Sequence, residues 1–125
     1  MNISDIKSLE QEITLLHDRV CSALGDATRI TILYLLAQQD MYVNEIAEAL
    51  GQPQSTISRH LKVLRERSLV LTNRQGTAVQ YSLGDQRIIA ALDLMRAILA
   101  EQIISEATIT GFTPGNYSSP SRTNT

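Results

Sequence analysis

One short segment, residues 51–64 (GQPQSTISRHLKVL), restricts the possible folds of this chain more than any other. Gly51 is suited to end a helix, because glycine readily takes the left-handed conformation of a helix C-cap. Pro53 suits the first turn of a new helix, where the N–H that proline lacks would have no partner. The segment therefore predicts two helices joined by a tight turn, the second running from about residue 53 to residue 67.

The two sides of this second helix have opposite character. At ~100° per residue, three apolar residues fall on one narrow side and three polar residues fall near the opposite side. The apolar side is formed by Ile57, Leu61 and Leu64, and the polar side by Ser55, Arg59 and Lys62. A helix that is anchored on one side and presents hydroxyls and cations on the other is typical of DNA recognition helices.

The charge is distributed unevenly, which matters more than its sum of −2. Residues 1–50 carry three basic and eight acidic side chains, a local sum of −5. Residues 51–76 carry five basic and one acidic (+4), and residues 77–125 carry three basic and four acidic (−1). Positive charge is thus concentrated around the predicted recognition helix.

Size and composition indicate one compact domain. A chain of 125 residues with 43% hydrophobic composition is long enough for a single core. Aromatic residues make up only 4% and Trp is absent, so we expect an aliphatic core of packed helices. No apolar run approaches the ~18 residues that cross a bilayer, and Met1–Lys7 lacks the pattern of a secretion signal, so we expect a cytoplasmic protein with no membrane partner.

Helical periodicity covers most of the first half of the chain. Apolar residues recur at three- and four-residue steps over residues 3–20, which predicts an amphipathic first helix. Asp26 is a good N-cap for a second helix over residues 27–38, which is apolar nearly all round and is expected at the centre of the fold. A short third helix over residues 43–50 completes a helix-turn-helix with the recognition helix.

The second half predicts a hairpin and a long helix. Two strands, residues 69–73 and 78–83, flank a turn at Gln75-Gly76 and form the hairpin called a wing. Asp85 is suited to cap a last helix that is more apolar than a small monomer requires, which favours a second subunit. Residues 108–125, rich in Ser, Thr, Gly and Pro, predict a disordered tail after a domain of residues 1–107.

The predicted order α-α-α-α-β-β-α is a mainly α winged helix-turn-helix, expected to be dimeric. Residues 20–105 resemble the ArsR/SmtB family of bacterial winged-helix repressors, most specifically in Asp26-Ala27-Thr28-Arg29, in residues 55–61 and in a wing ending at Tyr81. The resemblance implies a homodimer, with the first and last helices packed across the two-fold axis, that binds an inverted-repeat operator in double-stranded DNA. Ser68 departs from the family, which usually has glycine there.

The candidate DNA contacts divide by chemistry. Amides and hydroxyls both donate and accept hydrogen bonds, and the guanidinium of Arg59 suits O6 and N7 of guanine together, so we predict base contacts at the start of the recognition helix. Cations further along are predicted to bind phosphates, and wing residues to follow the backbone or enter the minor groove. The base set is Gln54, Ser55, Thr56, Ser58 and Arg59; the phosphate set is Lys62, Arg65, Arg67 and Arg74; the wing set is Arg74, Gln75 and Thr77.

Two aromatic side chains have alternative interpretations. The resemblance places His60 at the edge of the recognition surface, and both a DNA contact and a packed or capping imidazole remain open. For Tyr81 a core position with its hydroxyl at the surface is favoured over a DNA contact. A merely solvated helix face would explain the exposed cations alone, but not their combination with a preceding helix and a following wing.

The first and last helices are predicted to form the dimer interface. Their candidate residues are Ile6, Leu9, Ile13, Leu16, Leu92, Met95 and Leu99. An alternative hypothesis is a winged-helix protein-interaction module that pairs with another polypeptide through these helices. An enzyme is not predicted, since there is no phosphate-binding Gly-rich loop and no credible catalytic triad.

A metal cofactor is not expected. In many relatives metals are sensed near the third helix or on the last helix, but here the third has no Cys or His, and the last offers carboxylates without His, a poor donor set for zinc, nickel or copper. The lone cysteine, Cys21, forms neither an internal disulfide nor a thiolate cage. His17 and Cys21, four residues apart, are weak metal candidates, and Cys21 a weak redox candidate; a buried cysteine at the dimer interface is favoured.

Overall fold

The computed structural model describes residues 1–110, with side chains described for residues 1–107. Within that range the chain forms five α-helices and one three-stranded antiparallel sheet, in two compact units that divide between Asp85 and Gln86. In chain order the elements are α1 (Ile3–Leu16), α2 (Ala27–Gln38), β1 (Met41–Tyr42), α3 (Val43–Leu50), α4 (Gln54–Glu66), β2 (Val70–Gln75), β3 (Ala78–Leu83) and α5 (Gln86–Thr110).

The first helix begins with a capping box. The side chain of Asn2 accepts a hydrogen bond from the backbone N–H of Asp5 at 2.9 Å, and the Asp5 carboxylate accepts one from the N–H of Asn2 at 3.4 Å. After Leu16 the helix widens into a π-helical segment, His17–Cys21. Helical structure thus extends over the whole range predicted for the first helix.

Helix α2 is the central element of the first unit, as its apolar sequence predicts. Asp26 is its N-cap, and one carboxylate oxygen accepts hydrogen bonds from the N–H groups of Thr28 (2.8 Å) and Arg29 (3.3 Å). The predicted bounds, Ala27–Gln38, are confirmed. The residues of α2 that are buried are Ile32, Leu33 and Leu36.

Helices α3 and α4 form the predicted helix-turn-helix. Gly51 ends α3 in the left-handed region, with φ 64° and ψ 35°. Pro53, predicted inside the first helical turn, is instead the N-cap of α4, because its ψ of 147° is extended and helical geometry begins at Gln54. The side chains that bury α3 and α4 in the core, each with 0% exposure, are Ile46, Ile57, Leu61 and Leu64.

The sheet has the order β1-β3-β2, so the predicted hairpin gains a third strand. Met41 of β1 pairs with Tyr81 of β3, and Val70 of β2 pairs with Leu83 at the base of the hairpin. The first hairpin strand is Val70–Gln75 rather than residues 69–73, because the pairing continues to the turn. The sheet therefore attaches the wing to the segment that precedes α3.

The connection from α4 into the wing is tight. Ser68 has a φ of 61°, a left-handed conformation that favours glycine, and this is the position where the family usually has glycine. The N–H of Leu69 donates to the carbonyl of Leu64 at 2.9 Å and closes the end of the helix. Across the base of the wing, the N–H of Gly84 donates to the carbonyl of Leu69 at 2.9 Å.

Helix α5 has 25 residues and ends at Thr110, beyond the predicted limit at residue 107. The rest of the predicted tail, residues 111–125, lies outside the described residues. Among the helices that the structure describes, none combines the length and the apolar character needed to cross a bilayer.

Candidate nucleic-acid interface

The core fixes the orientation of α4 from its apolar side. Ile57, Leu61 and Leu64 are fully buried, so the helix cannot rotate about its axis without exposing them. The turn before it is held as well, because the side-chain amide of Gln52 donates to the hydroxyl of Thr28 in α2 at 3.3 Å. The remaining sides of α4 are therefore presented in a fixed direction.

Most of the predicted DNA-contact residues lie on the surface. Thr56, His60 and Tyr81 are only half-buried. The exposed ones are Gln54, Ser55, Ser58, Arg59, Lys62, Arg65, Arg67, Arg74, Gln75 and Thr77. Pro53 makes no side-chain hydrogen bond to the N–H groups of the first turn of α4. These N–H groups lie at the positive end of the helix dipole.

The five cations of residues 51–76 are available to a ligand. Arg59, Lys62, Arg65, Arg67 and Arg74 are all exposed, and within the part of the chain that the structure describes none of them forms an ion pair. Because five positive charges face one carboxylate, that of Glu66, in residues 51–76, α4 and the wing keep a positive potential toward solvent.

Arg74 and Gln75 lie on opposite faces of the wing. Directly paired residues of an antiparallel sheet share a face, and successive residues alternate between faces. Arg74 pairs with Val79, and two positions further from the tip Thr72 pairs with Tyr81. Arg74 thus shares a face with Tyr81, whereas Gln75 lies on the opposite face.

His60 lies on the side of α4 that faces α2. Nη1 of Arg29 in α2 lies 3.3 Å from Nδ1 of His60. The other ring nitrogen, Nε2, lies 4.0 Å from the carboxylate of Asp26. His60 thus occupies the packed position that was one of its two interpretations, with an 18% exposed side chain.

Arg29 connects three parts of the first unit. Its Nε donates to the carbonyl of Ala23 at 2.6 Å and its Nη2 to the carbonyl of Ser22 at 3.3 Å, while Nη1 contacts His60. It therefore joins the end of the π-helical segment to the recognition helix through α2. From the sequence, Arg29 is recognisable only as part of a family motif, because the 31-residue separation from His60 hides their contact.

The groups around Asp26 favour its ionised carboxylate. Burial raises the pKa of its carboxyl group. Hydrogen bonds from the backbone of Arg29 and Thr28, and the charges of His60 and Arg29, lower that pKa by a larger amount. The net result is a pKa below the ordinary value of 3.8. The ionised carboxylate is therefore the form that the folded protein stabilises.

A pocket of about 340 Å³ lies between α4 and the wing. Tyr81, half-buried, forms its wall on the sheet side, so its ring is partly packed and partly accessible. The other lining residues, all from α4 and all exposed, are Ser58, Lys62, Arg65 and Glu66.

The weak metal candidates do not form a ligand set. His17 and Cys21 are both exposed in the single chain, so the burial of Cys21 at a dimer interface stays a prediction. The Nδ1 atom of His17 contacts the carboxylate of Asp18 at 3.1 Å. Among residues 1–110, no group of three or more His, Cys, Asp or Glu side chains is arranged to hold a metal ion.

The candidate dimer residues are mostly exposed. Leu92 is the exception: it is only 4% exposed, so the surface it was predicted to offer to a partner is already covered within the chain. Those with at least 40% exposure are Ile6, Leu9, Ile13, Leu16, Met95 and Leu99.

Comparison with known proteins identifies related sequences. The family model described as "Bacterial regulatory protein, arsR family" matches residues 26–71, from the N-cap of α2 to the start of β2. The HTH-type transcriptional regulator KmtR of Mycobacterium tuberculosis is 42% identical over 77 residues, which cover 57% of this chain and 59% of that protein. The chain thus matches about three fifths of the length of this curated relative.

A second relative and a solved structure extend the match. The HTH-type transcriptional regulator CmtR of Mycobacterium bovis is 37% identical over 83 residues, covering 66% of this chain and 70% of that protein. The homodimeric winged helix-turn-helix DNA-binding domain Mb0332 from Mycobacterium bovis, a possible ArsR-family regulator, has a TM-score of 0.59 and 25% identity, covering 94% of this chain and 97% of that one. With its winged helix-turn-helix, this chain belongs to the arsR family of bacterial regulatory proteins, which are transcriptional regulators and not enzymes.

Proposed function

We propose that the protein is a homodimeric transcriptional repressor that acts in the cytoplasm and binds an inverted-repeat operator through α4 and the wing. The observation that carries the proposal is the recognition helix itself. Its apolar side is fully buried, while its exposed cations, together with Arg74 of the wing, form no ion pairs within the described residues. A surface of this kind matches a polyanion read in its major groove.

Base reading is assigned to the exposed start of α4. Gln54 and Ser55 lie in its first turn, where winged-helix and helix-turn-helix proteins approach base edges. Arg59, one turn further along and also exposed, is suited to bind O6 and N7 of guanine with two parallel hydrogen bonds. Lys62, Arg65 and Arg74 would bind phosphates and position the helix.

A dimer explains both the exposed apolar side chains and the symmetry of the proposed operator. Exposed apolar residues on α1, such as Ile13 (50%), and on α5, such as Met95 (52%), are favourable to bury against a second copy. Mb0332 is described as homodimeric, which supports the same arrangement here. Two recognition helices would then enter successive major grooves ~34 Å apart on one side of the duplex.

Fluorescence anisotropy with the DNA upstream of the protein's own operon tests the proposal. We expect tight binding that weakens as salt rises, and much weaker binding to scrambled DNA of equal length. Equal affinity for both DNAs would overturn sequence-specific regulation.

A pair of variants separates base reading from phosphate binding. Arg59→Ala should reduce the preference for operator over scrambled DNA by about 1–3 kcal/mol, because a bidentate base contact is lost. Lys62→Ala should weaken both DNAs to a similar extent and lower the salt slope by about two, roughly one for each protomer. The same anisotropy titrations measure both effects, and a full operator preference in Arg59→Ala would contradict the role given to Arg59.

A further inference from the structure

We infer that the pocket between α4 and the wing, lined by Ser58, Lys62, Arg65, Glu66 and Tyr81, binds one phosphodiester group of the DNA backbone. This wing pocket rests on the proposed DNA-binding function and adds a defined phosphate site to it. It changes two assignments made from the sequence: Ser58 moves from base reading to phosphate binding, and Tyr81 becomes a phosphate ligand as well as a packed aromatic.

Three of the pocket residues share one side of α4. Ser58, Lys62 and Arg65 follow one another at four- and three-residue steps, so they form one stripe along the helix. His60 lies on another side and contacts Arg29 of α2. The stripe lines the pocket together with Tyr81 of the wing, so Ser58 lies where a strand between helix and wing would pass.

The register of the wing brings Tyr81 to the same place. Val70 pairs with Leu83 at the base of the hairpin, where Val70 is 1% exposed, so this face of the sheet packs on the core. Tyr81 lies one step further out on that face, and Arg74 one step beyond its partner Thr72. The face thus changes from buried, through the half-buried Tyr81, to the exposed cation of Arg74.

The chemistry of the pocket fits a monoanion with several acceptor oxygens. Lys62 and Arg65 supply two positive charges, and the hydroxyls of Ser58 and Tyr81 supply two neutral donors. Glu66 contributes one opposing charge, which leaves a net charge of about +1 that a single phosphodiester neutralises. The ring of Tyr81 is already partly packed, so its hydroxyl is held in place at a small entropic cost.

A methylphosphonate scan of the operator tests the pocket. Each duplex carries one uncharged methylphosphonate in place of a phosphate, and anisotropy measures its affinity for the wild type, Tyr81→Phe and Lys62→Gln. Removing a hydrogen bond to a charged group should weaken the binding of Tyr81→Phe to unmodified operator by about ten- to a hundredfold. At one position on each half-site, the methylphosphonate should strongly reduce the affinity of the wild type for the duplex. The same modification should reduce the affinity of both variants much less, because they already lack a contact to that phosphate.

Two further variants control the scan. Glu66→Gln removes the opposing charge, so it should bind unmodified operator a few-fold more tightly than the wild type. Lys7→Gln, an exposed cation on α1 paired with Glu10 at 3.3 Å, should behave like the wild type at every position. Thermal melts of Tyr81→Phe and Lys62→Gln show whether any loss reflects unfolding.

The outcomes separate the pocket from the proposed function and from a free anion. Failure of the wild type to prefer operator over scrambled DNA would overturn the proposed function. A different result is that the wild type prefers operator while no methylphosphonate position shows a smaller loss of affinity in both variants than in the wild type. That result would overturn the pocket but not the proposed function. The last experiment is a titration with inorganic phosphate in the absence of DNA, followed by NMR at Tyr81. Saturable binding of phosphate, together with no methylphosphonate position whose effect depends on Tyr81 and Lys62, would identify a free-anion site. It would overturn the assignment to the DNA backbone.

Discussion

Ser68 and Gly84 lie side by side at the base of the wing and have opposite steric situations. Ser68 adopts a φ of 61°, a conformation in which its Cβ is strained. No contact among the described residues requires its side chain. Gly84 has an ordinary φ but no space: a Cβ there would lie 2.4 Å from the carbonyl oxygen of Ser68 and 2.9 Å from the carbonyl carbon of Leu69. The position that needs glycine conformationally and the position that needs it sterically are thus different residues.

Ser68→Gly should stabilise the protein by up to about 1 kcal/mol, because relief of the left-handed strain exceeds the added freedom of glycine in the unfolded chain. Gly84→Ala should destabilise it by roughly 1–3 kcal/mol, since the wing backbone must shift. Urea denaturation followed by circular dichroism measures both. A lower midpoint for Ser68→Gly than for the wild type would contradict the strain argument.

Asp26 gives the protein a defined acid sensitivity. Its pKa is lower in the folded state than in the unfolded state, so its charge stabilises the fold above pH about 4, and this contribution disappears as the pH falls below that value. Asp26→Asn keeps an N-cap side chain but removes the charge. The melting temperature of the variant should fall below that of the wild type at pH 7, and the gap should close toward pH 3.

Asp40→Asn is the matched control for this pH series. Asp40 is exposed between α2 and β1, so its replacement should leave the melting temperature near the wild-type value at both pH values. A gap for Asp26→Asn that stays constant between pH 7 and pH 3 would show that the carboxylate charge does not contribute.

At the scale of elements, the position of α4 depends on its buried side and on the bridge from Arg29. Arg29→Gln removes a donor to two backbone carbonyls and to His60, and should destabilise the fold by about 1–3 kcal/mol. Because Arg29 contacts α4 from the α2 side, we expect weaker operator binding with an unchanged salt slope. Anisotropy at several salt concentrations measures this, and a reduced slope would mean that Arg29 itself binds phosphate.

The sequence predicted those elements whose limits are set by local chemistry. Asp26 caps α2 and Gly51 ends α3 as expected, since each acts through backbone groups only a few residues away. The two-residue strand β1 was missed, because it exists only through pairing with β3, about forty residues later. The contact between His60 and Arg29 and the wing pocket depend in the same way on distant segments meeting in space.

At the scale of the whole molecule, we expect the exposed apolar side chains of α1 and α5 to determine the assembly state. We expect light scattering to give twice the chain mass of 13.8 kDa for the wild type. A charge at Ile13 or Met95, which are 50% and 52% exposed, should shift the mass toward one chain and weaken operator binding, since a buried unpaired carboxylate is costly. The variants are Ile13→Glu and Met95→Glu.

Leu71→Glu is the control for the dimer experiment. Leu71 is as exposed, at 52%, but lies on the wing, so its charge should leave the mass at two chains. The alternative protein-interaction module predicts a different result. The wild type would then have the mass of one chain, would gain mass only with another polypeptide and would not bind operator DNA.

The hydrogen bond from Gly84 to Leu69 has a consequence for how the wing can diverge among relatives. It joins the two ends of residues 69–84, so the hairpin is closed at its base independently of its tip. Insertions or deletions near Gly76 would change the length of the wing without moving α4. The wing is therefore a segment whose length evolution, or a protein engineer, can adjust separately from α4, the helix that we propose reads the bases.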